Sequence, residues 1–378
     1  MRLQSSVKIY IKLIRVLFWI NFLLFTSLST LGAKNPDKAI IANIREHMGA
    51  GVNLSVFEHY WISPDSLYNV DLTSKLDAIA NAGFKTVRLP VAFDLFFQPN
   101  SSNLQNEILD KLLNIYFDCY NKKLNLIITY HYGKLTNENI STGEIERIAW
   151  IWKQVQQHFK GHGYDCLFFE LYNEPTIERN KWKDALTKLV SNIRYEDPNR
   201  IYIIGGTDYN SLNELMEMGK LPDDKIIYTY HYYEPFIFTH QGADWTENKT
   251  YLTGLRFPYK RRGMPHLKKE SIGTSTEQDY KKYPTEANSQ YIADRTKQIA
   301  VFCARNNMPL ICSETGVITN ADNKSRKRYL KAITDAFYEY QIPGILWDYD
   351  QKFSITTDSA MKGLKQWLKR SKRIIIKR

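Results

Sequence analysis

Eight apolar, β-branched runs alternate with amphipathic helical stretches between residues 40 and 370, and this alternation constrains the fold more than any other feature of the chain. The runs lie near residues 50–54, 86–90, 124–131, 166–173, 200–205, 226–231, 309–314 and 344–348. Helical periodicity falls between them, near 70–82, 103–122, 143–159, 180–196, 210–218, 285–306, 324–340 and 359–369. Continuous apolar runs belong to strands buried on both faces, which calls for a parallel sheet covered by crossover helices. Eight strands, each followed by a helix, predict a single-domain α/β fold of the (β/α)8 TIM-barrel type. An open doubly wound sheet is the alternative, but it usually carries a Gly-rich phosphate turn after its first strand. Here Gly49 and Gly51 precede the strand, so no dinucleotide fingerprint is present.

Both chain ends are distinct in composition. Arg2, Lys8, Lys12 and Arg15 precede an apolar stretch at 16–25, and small residues follow, which reads residues 1–33 as a secretory signal peptide. Left uncleaved, the same segment would be an N-terminal membrane anchor. The expected location is therefore secreted, periplasmic or extracellular, with the (β/α)8 domain at 34–370 and a basic tail at 371–378. The formal net charge of +11 invites a nucleic-acid reading. However, four basic residues lie in 1–33 and seven between Lys365 and Arg378, with no acid in either stretch, which leaves the centre near neutrality. No nucleic-acid partner is implied, and the basic end is expected to be solvated. Cys119, Cys166, Cys303 and Cys312 form no CxxC pair and lie in predicted strands and helices, so buried free thiols are expected, with one disulfide left open. There is no His-rich cluster, and neither a metal nor an organic cofactor is implied. Residues 239–283, rich in Gly, Pro, Lys and Arg, are expected to form a long loop over the catalytic face of the barrel.

Two of the strands end in a carboxylate. One run leads into Leu171-Tyr172-Asn173-Glu174-Pro175, where the proline marks the exit from the strand, and another into Ile311-Cys312-Ser313-Glu314-Thr315-Gly316. Strand ends converge on one face of a barrel, so other polar residues with the same address can be read with them. Arg88 ends the second strand, His131 the third, His231 and Tyr233 the sixth, and Trp347 the eighth. Singly, each has an ordinary structural explanation; together they form a set with complementary chemistry.

In this ordered set the chain resembles glycoside hydrolase family 5. An Arg after strand two, a His after strand three, Asn-Glu-Pro after strand four, His-x-Tyr after strand six, a Glu after strand seven and a Trp after strand eight are all present. The stretch from His231 to Ala243 is similar to that of cellulase-type members. Two positions depart from the pattern: Ser313-Glu314-Thr315 stands where Gly-Glu-Phe or a close variant is usual, and Gly51-Val52-Asn53-Leu54-Ser55 lacks the usual following residues. The substrate therefore stays open within the family.

The resemblance implies a retaining double displacement with Glu314 as nucleophile and Glu174 as acid/base. It implies that Arg88 and Tyr233 hold Glu314 ionised, and that Glu174, near an ionised neighbour, is raised in pKa. Asn173 would bond the sugar 2-hydroxyl, His131 and His231 would orient hydroxyls or the acid, and Trp347 would floor the sugar site. Trp61, Trp245 and Tyr259 are candidate stacking platforms. The expected partner is a β-linked polysaccharide or oligosaccharide and the expected state a monomer. Endo-β-1,4-glucanase activity leads, with β-mannan, xyloglucan and mixed-linkage glucan as alternatives. A silent carbohydrate-binding barrel would have lost Glu174 or Glu314, and a Ser-His-Asp hydrolase would need a G-x-S-x-G elbow; neither condition is met.

Overall fold

A computed structural model describes residues 48–246 and 252–373. The proposed signal segment at 1–33 and residues 374–378 lie outside the described residues. Among those described, no helix is long and apolar enough to cross a membrane.

Strands β1 (Ala50–Asn53), β2 (Thr86–Val91), β3 (Asn125–Tyr130), β4 (Leu167–Glu170), β5 (Tyr202–Gly205), β6 (Ile226–Tyr232), β7 (Leu310–Thr315) and β8 (Gly344–Leu346) pair in chain order. All pairs are parallel, and β8 closes on β1, making a barrel. The principal helices between and after them are α1 (Thr73–Ala82), α2 (Asn106–Asn121), α3 (Glu144–His158), α4 (Arg179–Arg194), α5 (Leu212–Met218), α6 (Ser289–Arg305), α7 (Asn323–Glu339) and α8 (Asp358–Ser371). Local chemistry sets several of their ends. Asn288 and Asp322 accept the first free backbone N–H groups of α6 and α7, and Gly83, at φ 112°, terminates α1 in the left-handed region.

The side-chain period of two explains how the barrel interior positions the site. Ile127, Phe168, Ile203, Ile227, Ile311 and Ile345, with Met48 and Ile201, form a buried apolar cluster separate from the main core between sheet and helices. Each side chain so buried is worth about 1.5–3 kcal/mol. Two residues further along their strands, the same alternation brings buried Thr129, Glu170, Thr229 and Ser313 inward, and two further on, His131 and His231. The interior thus turns from hydrocarbon to a polar layer and then to the histidines. Close strand approach needs Gly51, because a Cβ there would fall 2.9 Å from Ile345 Cγ1.

Two regions differ from expectation. The 239–283 stretch is not a bare loop over the catalytic face: Leu252, Leu255, Phe257 and Tyr283 are buried in the main core, and a helix spans Ser275–Glu286. Its hydrophobic anchors are isolated among Lys, Arg and Pro, so no clean period marks them. The expected helix at 285–306 accordingly begins later, at Ser289, after the Asn288 cap. At the other end, α8 runs to Ser371 and buries Leu364, Trp367 and Leu368, and Ser371 Oγ accepts from Ala50 N at 3.0 Å. The basic residues up to Arg370 therefore belong to a docked helix, on which Lys365 and Lys369 are exposed to solvent as expected, and the Arg370 guanidinium lies 3.7 Å over the Tyr338 ring.

Candidate active site

Arg88 is the hub of the site. Its side chain is fully buried, and all five guanidinium N–H groups are used. Nε and Nη2 donate to Glu170 Oε2 and Oε1 at 2.6 and 2.8 Å, Nη1 donates to Glu314 Oε1 at 2.7 Å and Asn53 Oδ1 at 2.9 Å, and Nη2 donates to Asn173 Oδ1 at 2.7 Å. One cation thereby holds a structural acid, a candidate nucleophile and two amides in fixed relation. Asn53 in turn donates to Ser313 O and Leu346 O at 3.1 and 3.2 Å, tying β1 to β7 and β8 where the site is built.

A bulge aims Glu314. The β6–β7 register pairs Tyr230 with Cys312 but His231 with Glu314, so Ser313 is an extra residue on β7. Such a bulge breaks the period of two and lets consecutive residues serve the same side. Ser313 Oγ contacts Thr229 and His231 at 2.7 and 3.1 Å, while Glu314 reaches Arg88 and accepts from Tyr233 Oη at 3.0 Å. Gly316 follows because a Cβ there would fall 2.0 Å from Trp347 O. Trp347 then stands at the mouth, with its ring centroid 5.8 Å from that of His131.

Glu174 leaves β4 with a left-handed backbone, φ 48°, an uncommon state for a non-glycine residue that structures tolerate mainly at functional positions. Its Oε1 lies 2.6 Å from His231 Nδ1, which is also 3.6 Å from Glu314 Oε2. Oxygen atoms of the two carboxylates and a His231 nitrogen all lie within 4.8 Å of one another. That spacing would also suit a cation, but the groups are already committed to each other, to Arg88 and to Tyr233.

Burial dominates the titration of the site. The cleft walls desolvate Glu174, although 29% of its side chain remains exposed, and push it up to about 7; Arg88 opposes this and Glu170 adds to it. Sequence reasoning assigned the rise to an ionised neighbour, whereas desolvation is the larger cause. Glu314 is also raised, again by burial, against the opposing pull of His231 and Arg88. The expected bonds from Arg88 and Tyr233 are present, yet they only partly offset desolvation. Burial lowers His231 to about 4 and holds His131 well below its ordinary range, so both are neutral imidazoles at pH 7. With Asn173 Oδ1 taken by Arg88, its Nδ2 donates to His131 Nε2 at 3.2 Å, which places the His131 proton on Nδ1. One Asn173 N–H remains for a ligand.

Residues 46–353 match Cellulase (glycosyl hydrolase family 5). The chain belongs to this family. Relatives of the chain include Endoglucanase 3 of Fibrobacter succinogenes, 29% identical over 310 residues, covering 75% of this chain and 46% of that protein. Endoglucanase C of Acetivibrio thermocellus is 27% identical over 316 residues, covering 79% of this chain and 90% of that one. This chain thus spans less than half of the first relative and most of the second. Among solved structures, Thermotoga maritima Cel5A in complex with mannotriose aligns with a TM-score of 0.70 at 21% identity, covering 85% of this chain and 98% of that chain, which shows the shared fold.

The structure brings all eight sequence-predicted residues of this family-5 chain to one end of the barrel: Arg88, His131, Asn173, Glu174, His231, Tyr233, Glu314 and Trp347. The proposed platforms divide. Trp61 is 62% exposed, packs edge-on to exposed Tyr60, and Tyr60 meets exposed Tyr132 beside His131, making an aromatic rim on the β1 and β3 side. Trp245 is also exposed and contacts Phe353, a neighbour of Tyr233. Tyr259 instead packs edge-on to buried Tyr283 at 6.1 Å and joins the core packing of its own segment.

Several site residues were missed from sequence. Glu170 was read as part of an apolar strand, although an acid two positions from Phe168 on the inward face was a signal that it needed a buried cation. Asn53, Ser313 and Asn210, the last with Nδ2 3.2 Å from His231 Nε2, carried no such signal. Glu58 was missed as well. It is 5% exposed, its Oε2 lies 3.3 Å from His131 Nε2, and burial, with Glu314 and Asp348 nearby, holds it well above the usual carboxylate range.

Proposed function

We propose that this chain is a secreted, monomeric, retaining endo-β-1,4-glucanase. The observation that carries the chemistry is the facing pair of carboxylates, within 4.8 Å oxygen to oxygen, one bonded to Arg88 and Tyr233 and the other to His231. Retaining glycosidases place their carboxyl groups about 5–5.5 Å apart, and inverting ones roughly 6.5–9.5 Å. The short spacing leaves no room for a water between nucleophile and sugar.

In the first step a Glu314 oxygen attacks the anomeric carbon, the glycosidic C–O bond breaks, and the departing oxygen takes the proton of Glu174. A value of about 7 keeps much of Glu174 protonated at neutral pH, and neutral His231 holds its Oε1 without competing for the catalytic role. In the second step Glu174, now a carboxylate, removes a proton from water as the water oxygen bonds to the anomeric carbon and the Glu314 ester bond breaks. The free Asn173 N–H meets the 2-hydroxyl, and Trp347 supplies an apolar face for the sugar ring.

An endo mode is supported by sites on both sides of the pair. The Tyr60, Trp61 and Tyr132 rim extends from His131, and an open cavity of about 580 Å³ lies beyond Glu174, lined by Thr176, Ile177, Asp208 and Tyr209 among others. Secretion rests on the N-terminal segment, and the β-1,4-glucan backbone rests on the endoglucanase relatives.

The test is reducing-sugar release by the chain from Lys34 onward on carboxymethylcellulose, lichenan, xyloglucan, glucomannan and mannan, with Glu314→Gln as control. Mannan belongs in the set because the structurally similar Thermotoga maritima Cel5A has been solved in complex with mannotriose. Release from the glucans that the control lacks, with β-configured product in the first minutes by NMR, is expected. An α-configured first product would overturn the retaining mechanism, and release from mannan alone would overturn the glucanase reading.

A further inference from the structure

A groove of about 700 Å³ runs along the flank of the barrel between α2 and α3, outside the catalytic cup, and the mechanism above does not use it. Trp150, Lys153, Gln154 and Gln157 of α3 line it at the spacing i, i+3, i+4 and i+7, so all four share one face of the helix. Buried Leu104 and Leu109 line it from the other side. The core takes Ile148, Ile151, Trp152 and Val155 of α3 instead.

A single exposed aromatic residue needs no explanation in itself. Trp150 differs in how it is held. It is 43% exposed, yet its indole N–H donates to Asn103 Oδ1 at 3.2 Å, which ties the ring to the loop after β2. That loop is braced in turn: Phe97 and Leu104 pair across it, Gln98 N donates to Asn103 O at 2.8 Å, and Leu104 N donates to Gln154 Oε1 at 2.8 Å. A platform fixed between two elements loses little rotamer freedom when a ligand covers it.

The polar lining selects the ligand. Lys153 Nζ lies 3.5 Å from Glu196 Oε1, so an anionic ligand finds that cation already opposed. The side-chain amides of Asn106 and Gln157, and Nδ2 of Asn103, make no hydrogen bond to the described residues, and an amide both donates and accepts. An aromatic face flanked by neutral amides matches the two surfaces of a pyranose, its apolar C–H face and its edge of hydroxyls.

We infer that this groove is a second glycan-binding site, separate from the catalytic cleft, with Trp150 as its stacking platform and Asn103, Asn106 and Gln157 as partners for hydroxyls. Its ligand is a chain of neutral β-linked sugars, the polymer that the cleft is proposed to cut, and to that extent it rests on the glycosidase reading. From Trp150 to Gln157 the helix advances about 10 Å, which spans more than one sugar ring. The groove begins at the loop after β2, and in the closed barrel that loop lies between those after β1 and β3, which carry the rim of Tyr60, Trp61 and Tyr132. A polymer passing over the rim continues onto the flank, where a second contact raises its effective concentration at the cleft.

Two measurements test it. The first is native electrophoresis through gels containing hydroxyethylcellulose, in the Glu314→Gln background, so that the polymer stays intact. Trp150→Ala should raise the dissociation constant for the polymer roughly three- to tenfold, Gln157→Ala roughly twofold or more, and Trp150→Tyr should keep most of the affinity. The second uses the chain with Glu314 restored. Trp150→Ala should lower kcat/KM on hydroxyethylcellulose at least about threefold and leave that on an aryl β-cellobioside, too short to reach the flank, within about twofold of wild type. Hydrolysis of the polymer with retardation unchanged by Trp150→Ala would overturn the second site and leave the reaction standing. Equal losses on the short and the long substrate would mean that Trp150 only braces the loop after β2, which also overturns it. Trp150-dependent retardation of a chain that hydrolyses nothing would overturn the reaction and leave the glycan site standing.

Discussion

Replacing Glu170 by Gln tests the electrostatic architecture of the site without touching a group that contacts substrate. Glu170 receives two of the five Arg88 N–H groups, at 2.6 and 2.8 Å, and both side chains are inaccessible to water. Gln keeps one acceptor oxygen but turns an NH2 toward the other guanidinium N–H, donor against donor, and removes one negative charge. Breaking a buried ion pair by altering one partner costs about 3–5 kcal/mol, and the remaining acceptor places this change near the lower end. For a domain of this size that lowers Tm by roughly 5–10 °C. The charge also acts on the reaction. Glu170 is among the groups that raise Glu174, so its neutralisation lowers the Glu174 pKa from about 7, and the alkaline limb of the pH–rate profile moves to lower pH. Thermal unfolding by circular dichroism and kcat/KM against pH on an aryl β-cellobioside read the two effects separately. A Tm within about 2 °C of wild type would refute the view that Arg88 depends on this partner. A lower Tm with an unmoved alkaline limb would refute the electrostatic link to Glu174.

The wild-type pH–rate profile should be bell-shaped. Glu314 must be ionised and is raised, so the acid limb lies above the ordinary glutamate value; Glu174 must be protonated, so activity falls as pH rises through about 7. A rate still climbing above about pH 8 would contradict these assignments. Tyr233→Phe removes the 3.0 Å bond to Glu314 Oε2 and should reduce kcat by roughly 10- to 100-fold while moving the acid limb upward, since a donor to the charged form is lost; a change confined to KM would argue against this. Gly316→Ala sets a Cβ 2.0 Å from Trp347 O and should cost at least about 1–3 kcal/mol of stability and quench substrate-induced Trp fluorescence changes, which a normally melting, normally responding variant would disprove.

What the sequence determined by itself was the alternation of strands and helices and the address of each candidate group at a strand end. Both are local properties: strand and helix periods are written in runs of a few residues, and Asn173-Glu174-Pro175 marks a strand exit wherever it folds. Residues such as His131 and His231 were legible because the same period of two that buries Ile127 and Ile227 carries them to the same side. What only the tertiary structure decided was how these groups interlock. The bulge at Ser313 arises from the register between β6 and β7, and no pattern within β7 announces it. Glu170 and Glu58 take their meaning from partners far away in the chain, Arg88 and His131, and Asn210 takes its meaning from His231. The pKa values followed the same rule. Charges near Glu174 and Glu314 could be anticipated from their neighbours, but desolvation, the larger cause, depends on how deeply a closed barrel encloses them, and closure is a property of all eight strands together.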